Sequence, residues 1–197
     1  MHVITRATTP EASEALEPDL RRFNVAEYHQ MIEAGILVEG ERVQLVEGLV
    51  VQMTPHGGPH ALAIQRLNKI LTRGLGDTYA VRPQLPLTLG NDSEPEPDVA
   101  VVSAKDAEGP EHPRAALLVV EVSRSTLSYD RTVKAALYAR HGIPEYWIVN
   151  VQQRCVEVYR EPDRTAGRYR TLLTRTSGDT LEASAVPDVR LTVDELF

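Results

Sequence analysis

The sequence predicts an α/β fold, a mixed β-sheet flanked by helices, with an additional N-terminal helix and β-hairpin. Three observations predict it. Residues 117–122 form an apolar run broken only by Glu121, as expected of a central strand covered on both faces. Residues 128–140, which follow it, repeat apolar side chains at helical spacing. From Pro59 onward the elements read helix, three strands, helix, strand, an order that packs as helices against one sheet.

Each element has a local cause. Asn24 caps a short helix, Glu27 completes its capping box, and Gly35 stops it. Residues 42–46 and 49–53 alternate as strands around the turn Glu47-Gly48. Pro59 opens a longer helix in which Ile64, Leu67 and Leu71 share a face, and Gly74 ends it. Extended pieces are expected at 78–82 and 85–89. The loop 90–97 holds Asp92, Glu94, Glu96 and two prolines, too much turn chemistry for regular structure, so it delivers Asp98 to the mouth of a strand at 99–102. After the 117–122 strand and the 128–140 helix comes a strand at 146–150. Residues 155–160, 169–173 and the tail to Phe197 read as further strands and a short helix covering one edge. Residues 1–20 are acidic, polar and aperiodic and read as a flexible leader, leaving one domain at 21–197.

Bulk properties narrow the function. A chain of 197 residues with 42% hydrophobic content can bury a real core, about 70% of its extended surface. The single Cys155 rules out an intramolecular disulfide and suits a reducing compartment. No signal peptide or membrane-length apolar window is evident, so a soluble, cytoplasmic protein without a membrane partner is expected. A net charge of -7 argues against coating nucleic acid by charge alone. The basic residues are nonetheless segregated: Arg124, Arg131, Lys134 and Arg140 surround the most suggestive acids, and Arg160, Arg164, Arg168 and Arg170 follow.

Those acids are Asp98 and Glu121. Strand alternation puts Glu121 on a face with Leu117, Val119 and Ser123, where an unpaired carboxylate costs several kcal/mol. It needs a metal or a cation, or it has reached solvent or pairs with Arg124. Asp98 alone is ordinary turn chemistry after a proline. Paired with Glu121 on a neighbouring strand it becomes a ligand, because two carboxylates with waters and a substrate phosphate make up a magnesium site. His60 lies on the stripe of Ile64, Leu67 and Leu71 and reads equally as a ligand or acid/base aimed at the carboxylates and as a capping or buried structural histidine. His56 sits in a loop and reads as incidental. Steps of 100° place Asp130, Val133, Leu137 and His141 in one helical arc with Lys134 at its border. The alternative for Lys134 is a surface pair with Asp130 worth about 0.3–0.5 kcal/mol.

Pro97-Asp98, Glu121-Val122-Ser123, Asp130, Lys134, Tyr138 and Gly142-Ile143-Pro144-Glu145-Tyr146-Trp147 stand in an order that resembles the PD-(D/E)xK nuclease superfamily and, within it, the Uma-two family of restriction endonucleases. The resemblance implies a restriction-endonuclease-like sheet and a DNA endonuclease in which Asp98 and Glu121 hold Mg²⁺, or Mn²⁺. It also implies that Lys134, from the helix, replaces the lysine normally found two residues beyond the second acid, where this chain has Ser123. Tyr138 would support the site. Glu47 matches the early acid of the family, and Gln44 stands where an acid three residues earlier is usual. Two other readings remain at this level: an inactive nuclease fold that binds nucleic acid or regulates, and a structural role in a homodimer with the carboxylates held by arginines. A nuclease reading also makes a homodimer the expected assembly.

Overall fold

The computed structural model describes residues 20–38, 40–54, 57–186 and 189–197. The expected leader, apart from Leu20, and His56 lie outside the described residues. Helix α1 (Val25–Glu33) carries the anticipated capping box, with Asn24 accepting from Glu27 N and Glu27 reaching back to Asn24 N. Strands β1 (Val43–Val46) and β2 (Leu49–Gln52) pair antiparallel around Glu47 and Gly48. Both turn residues have positive φ, 49° and 78°, the two-residue turn whose twist matches a hairpin.

Six strands form the central sheet in the order β3 (Tyr79–Pro83), β4 (Val99–Ser103), β5 (Leu118–Ser123), β6 (Glu145–Asn150), β7 (Cys155–Asp163), β8 (Arg168–Arg175). The β5–β6 pair is parallel and the other four are antiparallel. The parallel pair needs a crossover, and a helical run supplies it: α4 (Leu127–Tyr129), a π-helical turn (Asp130–Lys134) and α5 (Ala135–Arg140). A short α3 (Ala104–Ala107) follows β4. Both sheet faces are dry, as the apolar β5 run requires. On one, Ala63, Ile64, Leu67 and Leu71 of α2 (Gly58–Gly74) meet Val99, Leu118, Val120 and Trp147. On the other, Ala135, Leu137 and Tyr138 meet Ala100, Val119, Tyr146 and Ile148. Each fully buried aliphatic of this kind contributes about 1.5–3 kcal/mol.

Two expectations are corrected. Residues 85–89 form no strand; Leu89 makes an isolated bridge to Ser93, and Leu87 N donates to Pro95 O. The prolines at 83 and 86 remove ladder donors just where a strand would start. The tail does more than cover an edge. Strands β7 and β8 extend the sheet, whereas the hairpin β9 (Thr180–Glu182) with β10 (Arg190–Thr192) and the 3₁₀ turn Val193–Leu196 put Leu181, Leu191, Val193 and Leu196 into the α2 core.

Candidate active site

Asp98 stands one residue ahead of β4, and Val99 lies opposite Val120, so continuing the antiparallel ladder brings Asp98 opposite Glu121. The backbone around it is tied down. Gln84 N donates to Asp98 O at 3.1 Å, Glu94 N to Leu45 O at 2.7 Å, and Gly48 N to Asp92 O at 2.7 Å. Its side chain is held as well: Val122 N donates to Asp98 Oδ2 at 2.7 Å, and His60 Nε2 stands 3.1 Å from the same oxygen. His60 comes from the first turn of α2 and is buried.

Glu121 is only 6% exposed on β5. Lys134 Nζ donates to its Oε1 at 2.8 Å, and Tyr138 Oη donates to the same oxygen at 2.7 Å. Burial pushes the Glu121 carboxyl up to about 7; Lys134 pulls against that shift, while Asp98 and Asp130 add to it. Arg124 is not its partner. The lysine also donates to Gln44 Oε1 at 3.0 Å, and Glu96 N reaches that amide oxygen at 3.2 Å. Gln44 therefore ties the hairpin, the loop before Asp98 and the lysine together.

The π turn explains how a helix residue at the border of the anticipated arc reaches so deep. Ala135 N donates to Asp130 O, five residues back, and Tyr146 Oη donates to the same carbonyl at 3.1 Å. One extra residue in a turn shifts the helix phase by roughly 100°. Lys134 is consequently 3% exposed and Tyr138 fully buried, while Val133 is only half-buried. The alternative of a surface Asp130–Lys134 pair is excluded, because both residues are buried and Asp130 Oδ2 accepts instead from Thr126 Oγ1 at 2.7 Å. Burial raises the Asp130 carboxyl too, and Tyr138 lies well above the usual phenol range for the same reason, with Glu121 adding to it.

These groups open into a cleft of about 550 Å³ between the β1–β2 hairpin, the start of α2 and the β5–α4 turn, lined by Gln44, His60, Glu96, Asp98, Glu121, Arg124, Tyr129, Asp130 and Lys134. Glu47 does not join them. It occupies the hairpin turn, where it pairs with Arg140 and its N–H donates to Ser93 Oγ at 2.9 Å. Among the described residues no group of three or more His, Cys, Asp or Glu side chains is arranged around a metal position. The donor set is two carboxylates, each with one oxygen engaged by protein donors, in an open cleft. That set fits magnesium, which keeps several waters and takes one or two carboxylates together with substrate oxygens.

Residues 25–194 match the family model described as Uma2, putative restriction endonuclease. The chain belongs to the Uma2 family. Its fold is also that of a solved structure, a putative nuclease belonging to DUF820 from Anabaena variabilis ATCC 29413, with a TM-score of 0.67 over 84% of this chain and 95% of that one at 18% identity. No curated protein matches it. Among the described residues no helix is long and apolar enough to cross a membrane.

In this Uma2 chain the structure also places residues in the cleft that sequence reasoning overlooked. Glu96, whose carboxyl is raised by burial, lines it beside Asp98. Tyr129 lines it with a buried hydroxyl that has no hydrogen-bond partner among the described residues. Burial, followed by the nearby Glu121 and Asp130, pushes that phenol up to about 12, so it remains a donor at neutral pH. Neither position carries a local signal. Both depend on which way a loop or turn is aimed by the rest of the chain.

Proposed function

We propose that this Uma2 protein is a metal-dependent endonuclease of PD-(D/E)xK type that hydrolyses phosphodiester bonds in DNA. The observation that carries the reading is the lysine brought by the π turn to within 2.8 Å of a buried glutamate, itself on the strand neighbouring Asp98, in one open cleft. Asp98 and Glu121 would hold Mg²⁺ or Mn²⁺, which supplies Lewis acidity at the phosphodiester. Asp98 is oriented by Val122 N and His60, which leaves one carboxylate oxygen for the cleft. Glu121 is oriented by Tyr138, which donates to the oxygen that also faces the lysine. Lys134 would place a fixed positive charge beside the oxygens around phosphorus on which negative charge develops, and Gln44 keeps its ammonium from rotating away. Glu47, paired with Arg140 outside the cleft, has no part in this scheme.

A plasmid-nicking assay with Mg²⁺ and Mn²⁺ tests the reading. Native protein should nick only with the metal, and Asp98→Ala should not nick. One observation favours a second reading, a nuclease fold that binds nucleic acid without turnover: the neutral Gln44 amide takes the lysine on one side of the cleft. DNA binding with no nicking at any metal concentration would select it. In either case we place the protein in the cytoplasm as a homodimer, which light scattering at high micromolar concentration would test.

A further inference from the structure

The turn from β5 into α4 presents two polar groups to the cleft that the proposed mechanism does not use. Tyr129 directs a buried hydroxyl into the neighbourhood of Glu121 and Asp130, yet nothing among the described residues bonds to it. A buried hydroxyl without a partner is destabilising, because it has lost water and gained nothing in exchange, so a ligand oxygen would satisfy it. Both carboxylates near it are negative acceptors, but neither bonds to it; the hydroxyl is positioned as a donor for an oxygen that arrives from outside.

Arg124 is the second group. It lines the same cleft, is exposed, and pairs with no carboxylate among the described residues, whereas the nearby Arg131 pairs with Glu157 and Arg140 with Glu47. Its guanidinium passes close to Gly57: a Cβ there would lie 3.0 Å from Arg124 Nη1. The bare glycine thus leaves room for the guanidinium at the cleft wall. An unpaired planar cation and an unpaired O–H donor, five residues apart between the end of β5 and the end of α4, match the non-bridging oxygens of a phosphodiester, which accept from both.

We infer that Arg124 and Tyr129 form the substrate-phosphate grip of this cleft, with Tyr129 Oη donating to a non-bridging oxygen of the phosphodiester at the carboxylates and Arg124 holding the phosphate next to it along the strand. The inference rests on the proposed nuclease reading for what the cleft does, but it concerns binding and is read separately from turnover. The two residues touch substrate only; neither holds the cation nor moves a proton.

The test measures binding of a fluorescent DNA duplex by anisotropy in Ca²⁺ across a salt series, alongside metal-dependent nicking, for native protein, Tyr129→Phe and Arg124→Gln. Tyr129→Phe keeps the ring and its packing, and thermal melting of each variant checks the fold. Expected are a Kd raised about 5–10-fold by Tyr129→Phe and about 10-fold or more by Arg124→Gln, with the salt slope reduced by about one for the arginine variant only. In nicking, KM should rise with kcat changed far less. Native protein that binds but never nicks, with both variants binding more weakly, would sustain the inference while sinking the catalytic reading. Native protein that nicks, with both variants unchanged in Kd, salt slope and KM, would overturn the inference and leave that reading intact. A native protein that neither binds nor nicks overturns both.

Discussion

Lys134 Nζ lies 2.8 Å from Glu121 Oε1, a contact between the crossover helix and the strand it leaves, with both side chains shut away from solvent. A buried ion pair is a weak source of stability, because desolvating both charges offsets most of their attraction. Breaking it by removing one partner is a different matter, since the other charge is then stranded. The pair therefore makes sense as a way to hold a charge in a defined place.

The raised carboxyl makes stability depend on pH with a definite sign. Glu121 titrates at about 7 in the folded protein against 4.5 for the reference carboxyl, so between those values the folded state binds more protons than the unfolded one. Its contribution is fully present below about 4.5 and is lost as pH rises through about 7. Glu121→Gln carries no such proton, so the urea midpoint of the variant relative to native protein should rise with pH across that window, by an amount on the order of 3 kcal/mol in stability. A constant difference from pH 4.5 to pH 7 would contradict it.

Removing the cation should separate catalysis from metal binding. Lys134→Met keeps much of the side-chain volume but leaves Glu121 without its charge partner. Nicking should fall by about 100-fold or more, while Mn²⁺ affinity measured by calorimetry stays the same or rises slightly, because a competing positive charge is gone. A variant that cleaves as well as native protein would remove Lys134 from the mechanism.

Gln44 offers a gain-of-function test. Gln44→Glu would place a carboxylate 3.0 Å from Lys134 Nζ, still able to accept from Glu96 N. With a further acid bordering the cleft beside Asp98 and Glu121, the Mg²⁺ concentration for half-maximal nicking should drop several-fold, as ligand charge raises affinity for a hard cation. An unchanged or higher metal requirement would show that the amide is preferred for holding the lysine alone.

Glu145 should matter for folding and not for the cleft. It is fully buried; Trp147 Nε1 donates to its Oε1 at 2.7 Å and Arg160 Nη2 at 2.9 Å, while Ser184 N and Oγ donate to its Oε2 at 2.7 and 2.6 Å. This carboxylate clips the segment after β9 to the sheet. Glu145→Ala strands the Arg160 charge and several donors, so a loss of about 3–5 kcal/mol in urea unfolding is expected, with faster proteolysis near Ser184. Metal affinity in the variant that remains folded should match native protein.

Much of this was readable from sequence, for a physical reason common to each case. The Asn24–Glu27 capping box and the Glu47-Gly48 turn are decided by bonds three residues or fewer apart, so their signals are local. Glu121 stood out because a charge in an apolar run is anomalous whatever surrounds it, and Asp98 because a proline-rich loop had to end at a strand. Apart from the strand expected at 85–89 and the short α3, the order of elements from α2 to β6 followed from periodicity and turn residues.

What the tertiary structure decided lies where one residue's environment is made by distant chain. The π turn that swings Lys134 from the border of its helix face to Glu121 is held by Tyr146 from the next strand, and nothing within the helix marks it. Gln44 reads in sequence as a missing acid, but it becomes the partner of a lysine 90 residues later. Glu47 matched the family pattern, yet the hairpin turn aims it at Arg140 and away from the cleft. Tyr129 was silent, because an unmet hydroxyl exists only once the surrounding walls are in place. Local geometry and hydrophobic period determine which elements form and which acids are anomalous; only packing, which sums contacts across the whole chain, determines which side chains those acids meet.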